Sequence, residues 1–438
     1  MRLRDFLEID YPLLLAAMIL SVFGVLFIYS SGITSQGVLV SNEYLRQIVW
    51  ASGGLVFAIV LAMVDYHRLR DLSLYLYLGT LALLIYTCLF GRLVNGARAW
   101  IGIGSFGIQP SEFAKITTIV FLARYLDDTR RSTAAAFSRM FFSCLIVFVP
   151  MGLILIQPDF GTSLVFIPIL LVMTFIAGVS IRYVIFLGAC IALTGILTVL
   201  PLWQTHILRN TLPLLMIFSN PKFIAIAVLA LSAAAAIALF GYIKYKKRYF
   251  FWMVYIVAVV GFSLGASFFS HRVLKDYQIM RLIVFLDPNV DPRGAGWNII
   301  QSVTAIGSGG LTGKGYLHGT QSHYRFLPQQ STDFIFSIFT EEWGLLGGLL
   351  VFALFLLICL RLVRLMKITQ DPFGAYITAG LSAMYVFHFL INVGMTMGIM
   401  PITGIPLLFM SYGGSAVISA MTGVGLSLSI HVRRFRRS

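Results

Sequence analysis

Residues 11–33 read YPLLLAAMILSVFGVLFIYSSGI and contain no charged side chain. An α-helix crosses a bilayer in about 20 predominantly apolar residues. The run is longer than the apolar region of a cleavable secretory signal, about 7–15 residues, and has no clear cleavage site, so it reads as a first membrane span. Working outward, further apolar runs lie near 47–65, 73–90, 111–126, 140–156, 162–179, 183–203, 221–243, 250–270, 334–363, 374–398 and 407–431, making twelve. The 111–126 run is short and polar at its start. Of the 438 residues 59% are hydrophobic and 11% charged, with a mean hydropathy of +0.90, whereas soluble domains carry about 25% charged residues. A soluble globular protein is excluded, and so is a soluble enzyme on one anchor. The predicted fold class is all-α, a polytopic membrane helical bundle.

The charge balance, 32 Lys and Arg against 17 Asp and Glu, gives +15. In a soluble protein this would suggest nucleic acid; in a membrane protein it follows from the positive-inside rule, and no nucleic acid is required. Arg2 and Arg4 precede the first span. Arg68/Arg70, Arg130/Arg131/Arg139, Arg182, Lys244/Lys246/Lys247/Arg248, Arg361/Arg364/Lys367 and Arg433/Arg434/Arg436/Arg437 then fall on the side of the N-terminus. Both termini are expected to be cytoplasmic. Cys88, Cys144, Cys190 and Cys359 lie singly inside apolar runs and read as lipid-facing or core thiols.

Two connections on the opposite side are long: Gly91 to Pro110, and a loop from His271 to Thr332. Loops of such length in compact proteins are usually functional or disordered, and the aromatic and aliphatic residues throughout the second argue for order. The stretch 205–270 adds two apolar runs joined by the basic Lys244–Arg248 turn and reads as a two-helix insertion that leaves the later topology unchanged.

Ionisable residues near the outer surface mark the candidate chemistry, because charge in a membrane is costly. The first cluster is Gly96-Ala97-Arg98-Ala99-Trp100 followed by Gln109-Pro110-Ser111-Glu112-Phe113-Ala114-Lys115. Pro110 suits a helix start, and Glu112 and Lys115 then share a helical face. They form either a structural ion pair or, with Arg98, a cationic site for an anionic headgroup in which Glu112 orients the lysine. The second cluster is Gln157-Pro158-Asp159-Phe160-Gly161-Thr162-Ser163; Asp159 is a helix N-cap or a contact for substrate or metal. The third ends the long loop. Gly307-Ser308-Gly309-Gly310-Leu311-Thr312-Gly313-Lys314-Gly315 departs from a P-loop at Ser308 and Gly315, though its N–H groups and Lys314 could still contact a pyrophosphate. Asp333 opens a span, as a cap or as a general base whose pKa is raised by partial burial. About two turns deeper, Glu341 and Glu342 are buried acids that need partners, and a polar network between helices supplies them. No zinc motif, Cys/His metal set or nucleophile elbow is present.

Taken together, Gln109–Lys115, Gln157–Ser163, Asp287–Gly296, Gly307–Gly315, Thr332–Phe336 with Glu341-Glu342, and Pro401–Ser415 ending in Ser411-Tyr412-Gly413-Gly414-Ser415 resemble the SEDS family (shape, elongation, division and sporulation). The resemblance covers nearly the whole chain apart from 205–270. Lys314–Ser322 and Pro401–Pro406 look like the elongation member rather than the division member. The resemblance implies a peptidoglycan glycosyltransferase of the bacterial cytoplasmic (inner) membrane, polymerising lipid II on the extracytoplasmic side beside a class B penicillin-binding protein and releasing undecaprenyl pyrophosphate. It places the catalytic aspartate on Asp333 and the salt-bridged acid and lysine on Glu112 and Lys115. Arg98, Asp159, Lys314, Gln321 and Ser411 complete the expected substrate-binding set. Two departures stand out: Gln329 replaces a glutamate frequent after the Leu-Pro pair, and the family's usual ten spans become twelve.

Chain growth requires a sugar hydroxyl to attack an anomeric carbon carrying a prenyl pyrophosphate. One base, Asp333, and cations at Arg98, Lys115 and Lys314 meet that need; a divalent cation, Mg or Mn, could share the charge, although no ligand set announces one. A single convincing carboxylate predicts inversion. The competing readings are a lipid II flippase, against which the one-sided polar residues argue because transporters show repeated halves with interrupted helices, and a non-catalytic activator of the penicillin-binding protein.

Overall fold

Each stretch read as a span folds wholly or largely as helix in a computed structural model that describes residues 8–94, 97–103, 106–130, 136–203, 221–273 and 276–435. Arg2, Arg4, Gly96, Arg131, Arg436, Arg437 and residues 205–220 of the expected insertion lie outside the described residues. The chain divides into two units, 1–179 with 298–438, and 180–297.

The first unit contains α1 (Tyr11–Ser31), α2 (Glu43–Met63), α3 (His67–Phe90), α4 (Pro110–Asp128), α5 (Ala136–Ile156), α6 (Phe160–Leu164) and α7 (Phe166–Ile176). The second contains α8 (Ile181–Trp203), α9 (Pro221–Tyr245), α10 (Arg248–Val273) and α11 (Asp276–Leu286). After α12 (Ala295–Ser308), which begins at the unit boundary, the first unit resumes with α13 (Thr320–His323), α14 (Ile335–Ile368), α15 (Pro372–Thr396) and α16 (Gly414–Val432). Among the described residues, ten helices are long and apolar enough to cross a membrane. The remaining two expected spans are α4, 19 residues with charges at both ends, and the short apolar stretch Phe160–Ile176. In the second unit α10 packs against both α8 and α9, so the expected insertion is a helical hairpin turning at Lys246, whose φ is +50°.

Three expectations need correction. The last span begins at Gly414, because 401–413 is non-helical. The loop from His271 to Thr332 carries α11, α12 and α13. The connection before α4 folds as a three-stranded antiparallel sheet, β1 (Arg92–Val94), β2 (Ala97–Ile103) and β3 (Phe106–Ile108), with Leu93 opposite Arg98 and Gly102 opposite Gly107.

Within the first unit α16 is central: 78% of its apolar window is buried, and it packs chiefly on α2 and also on α4. At one end of this unit the basic residues find acids. Arg361 pairs with Asp10 at 2.9 Å, Arg70 with Asp128 at 2.6 Å and Asp127 at 3.1 Å, and the Tyr66 hydroxyl donates to Asp371 at 2.9 Å.

Helix α14 is broken. Gly344 has φ +64° and ψ −162°, a conformation essentially confined to glycine. The glycine-rich loop before it closes the gap. Lys314 and Gly315 donate their main-chain N–H groups to the carbonyls of Glu341 and Glu342 at 3.1 and 3.0 Å, while Leu345 and Leu346 donate to the carbonyls of Gly310 and Leu311 at 2.9 and 3.1 Å. Backbone groups that a continuous helix would satisfy internally are thereby paired inside protein, the condition for irregular backbone at membrane depth. A side chain at Gly313 would collide with the Glu342 carbonyl oxygen at 2.0 Å, and one at 344 with the Gly313 nitrogen at 2.4 Å. Gly344→Ala is therefore expected to destabilise by at least about 1–3 kcal/mol from backbone conformation alone, read as a lower unfolding temperature in detergent. An unchanged transition would show that the break tolerates a methyl group.

Candidate active site

The non-helical segment 401–413 ties the site together. The Ser411 hydroxyl accepts from the Leu407 N–H at 2.9 Å and its carbonyl accepts from Gln47 Nε2 at 3.0 Å, so this buried serine builds the turn from within. The next residue, Tyr412, donates its N–H to the Ser331 carbonyl at 2.9 Å, and the Ser331 hydroxyl donates to Glu43 Oε2 at 2.7 Å. Two residues on stands Asp333, half-buried, with its N–H donated to Gln329, whose φ is +49°. The Asp333 carbonyl accepts from Asn392 Nδ2 at 3.0 Å. Asp333 is thus held through its main chain at the mouth of α14, and it is not the N-cap, which is Phe334.

Glu112 and Lys115 do form a pair on one face of α4, but they are buried rather than turned to the surface. The Lys115 ammonium donates to Glu112 Oε1 and Oε2 at 2.8 and 2.9 Å and to His388 Nε2 at 3.0 Å, with Lys115 0% exposed. His388 Nδ1 lies 3.1 Å from the Pro406 carbonyl. That oxygen can only accept, so Nδ1 carries the proton and Nε2 offers its lone pair to the lysine. All three ammonium hydrogens are then used within the protein, as in a structural ion pair.

Asp159 serves as the N-cap of α6, accepting from the Thr162 N–H at 3.1 Å, and its second oxygen accepts from Gln109 Nε2 at 2.8 Å. Gln109 in turn donates its N–H to Ser415 Oγ at 2.9 Å, so the start of α4 is tied to α6 and α16. Burial pushes the Asp159 carboxyl above the usual range, with the Thr162 hydrogen bonds pulling the other way.

The other candidates separate from this group. Lys314 donates to Glu341 Oε1 and to Thr320 Oγ1, both at 2.7 Å. The same Glu341 oxygen accepts from the N–H groups of Thr320 and Gln321 at 2.8 and 3.0 Å, which makes Gln321 part of the network under the helix break. Glu342 accepts from Ser30 and, at 3.0 Å, from the Leu317 N–H. The network expected of the two glutamates is present; of the 307–315 loop considered as a phosphate cradle, the N–H groups of Gly313, Lys314 and Gly315 are engaged by protein carbonyls. Arg98 lies exposed on β2. Sequence reasoning missed His388, Asn392, Gln47 and Glu43; the first two carried a usable signal, as polar residues within the apolar run 374–398.

A helical bundle with ten helices long and apolar enough to cross a bilayer among the described residues defines a multi-pass membrane protein. The family model for cell cycle proteins, FtsW/RodA/SpoVE, matches residues 11–222 and 203–436, and the chain belongs to that family, the SEDS proteins. Among its relatives, the peptidoglycan glycosyltransferase RodA of Treponema pallidum is 50% identical over 434 residues, covering 99% of this chain and all of that one. The peptidoglycan glycosyltransferase MrdB of Escherichia coli K12 is 32% identical over 98% of this chain and 95% of its own. FtsW of Geobacter is 29% identical, with 97% of each chain covered, so the chain is RodA-like. A solved chain from a peptidoglycan synthase complex coordinating polymerization and crosslinking matches with a TM-score of 0.69 at 25% identity, over 98% of this chain and 99% of that one.

Proposed function

We propose that this protein is a peptidoglycan glycosyltransferase that polymerises lipid II at the outer face of the bacterial inner membrane during cell elongation. The observation that carries the reading is the end-to-end 50% identity to a RodA glycosyltransferase, and the clamped Asp333 supplies the base such chemistry needs. The Asp333 carboxylate takes the proton of the attacking sugar hydroxyl as its oxygen bonds to the anomeric carbon. The bond from that carbon to the pyrophosphate breaks, and undecaprenyl pyrophosphate leaves with inversion. With Lys115 and Lys314 engaged by carboxylates, the exposed Arg98 is the candidate cation for the leaving group. Among the described residues no group of three or more His, Cys, Asp or Glu side chains is gathered for a metal; a divalent cation, Mg or Mn, carried by the pyrophosphate itself would share the leaving-group charge with Arg98. The solved relative from a synthase complex supports a class B penicillin-binding protein as partner.

The flippase reading gains one observation, the break in α14, since interrupted helices are frequent in transporters; the sequence-based contrast on that point does not hold. Purified protein reconstituted with lipid II and its partner separates the two. Glycan strands formed in the presence of penicillin support the polymerase, whereas movement of lipid II between leaflets without polymer overturns it.

A further inference from the structure

His388 and Asn392 stand one turn apart on α15 and grip consecutive carbonyls of the 401–413 segment. His388 Nδ1 donates to Pro406 at 3.1 Å, and Asn392 Nδ2 donates to Ile405 at 2.8 Å. The second hydrogen of the same Asn392 amide goes to the Asp333 carbonyl at 3.0 Å. Both partners of Nδ2 are carbonyl oxygens, so the orientation of the amide is fixed. Asn392 is 0% exposed and His388 1%. A buried amide bridging two carbonyls is retained only at the expense of desolvation, and its removal strands both acceptors.

We infer that Asn392 is a positioning residue for the transfer reaction, fixing the main chain of Asp333 against the segment that the Glu112–Lys115 pair anchors through His388. This inference rests on the glycosyltransferase reading above. It gives the buried ion pair a route to the base that requires no contact with substrate: Glu112 to Lys115, Lys115 to His388, His388 to Pro406, and from the adjoining Ile405 through Asn392 to Asp333. Asn392 touches the carbonyl of Asp333 and not its carboxylate, so it acts on where the base stands.

The test is steady-state polymerisation of lipid II by the purified full chain with its partner, comparing wild type, Asp333→Asn, Asn392→Leu and Asn392→Ser. Leucine keeps the branched shape with a larger volume and removes both donors; serine keeps one. Displacing a catalytic group by about 1 Å costs roughly 100-fold in rate. Asn392→Leu is therefore expected to lose about that factor in kcat, with KM for lipid II close to wild type and an unfolding temperature lowered by the two stranded acceptors but still above the assay temperature. Asn392→Ser should fall between the two. His388→Leu should lower kcat as well, and His388→Gln, which can accept from Lys115 and donate to Pro406, should recover most of it. Wild-type kcat in Asn392→Leu, a loss confined to KM, or loss of lipid II binding by both Asn392 variants would overturn the inference, the last by making the residue merely structural. If wild type itself forms no polymer, the functional reading has failed instead; if wild type polymerises, Asp333→Asn does not and Asn392→Leu is unimpaired, only this inference fails.

Discussion

Asp333→Asn should abolish glycan polymerisation while leaving the protein folded and able to bind lipid II. Asparagine is nearly isosteric with aspartate and keeps the main-chain bonds to Gln329 and Asn392 that hold the segment. What it loses is the carboxylate charge, and with it the ability to take a proton. General base catalysis contributes about 10²–10⁴-fold, and the single-displacement scheme provides no second base, so turnover should fall by at least that factor. The measurement is polymer formed by the purified variant, alongside its unfolding temperature and lipid II binding. Substantial residual polymerisation by a folded variant would remove Asp333 as the base.

The second large effect is expected on stability. Glu112→Gln leaves the Lys115 ammonium buried with a neutral amide and a neutral imidazole. Breaking a buried pair by removing one partner typically costs about 3–5 kcal/mol, because an uncompensated charge remains. Lys115→Met alone should also destabilise, by stranding the Glu112 carboxylate. The double variant Glu112→Gln/Lys115→Met carries no buried charge at this position and is expected to recover much of the loss, since apolar replacement of a buried pair is often near neutral. Thermal unfolding in detergent of the wild type, both single variants and the double variant completes the cycle. Additive losses would mean that the two side chains do not depend on each other. If activity stays low in the stable double variant, the pair has a role beyond holding the helix.

The membrane character was legible because length and apolarity alone identify a crossing helix. Clusters such as Gln109–Lys115 and Gln157–Ser163 were legible because polar residues beside apolar runs stand out. What the sequence hid were long-range pairings. His388 stands out as a polar residue within an apolar run, but nothing in the sequence sets it 3.0 Å from Lys115. The glycines of 307–315 suggested a phosphate cradle because the same composition serves any backbone that must approach another closely. Their actual neighbour is the opened main chain of α14. The sheet formed by Arg92–Ile108 went unseen because its β1 and β3 strands are only three residues each, too short to reveal a period.

The break at Gly344 also has a consequence for length. As one straight rod, the 34 residues of α14 would extend about 51 Å at 1.5 Å per residue, well beyond the roughly 30 Å of hydrocarbon in a bilayer. The part after the break, 345–368, measures about 36 Å and matches the membrane with modest tilt. The part before it, 335–343, is released from that axis, so Asp333 need not be carried far out into water. On the proposed chemistry a sugar tethered through pyrophosphate to a prenyl chain cannot rise far from the headgroup layer, and a base at Asp333 has to meet it there.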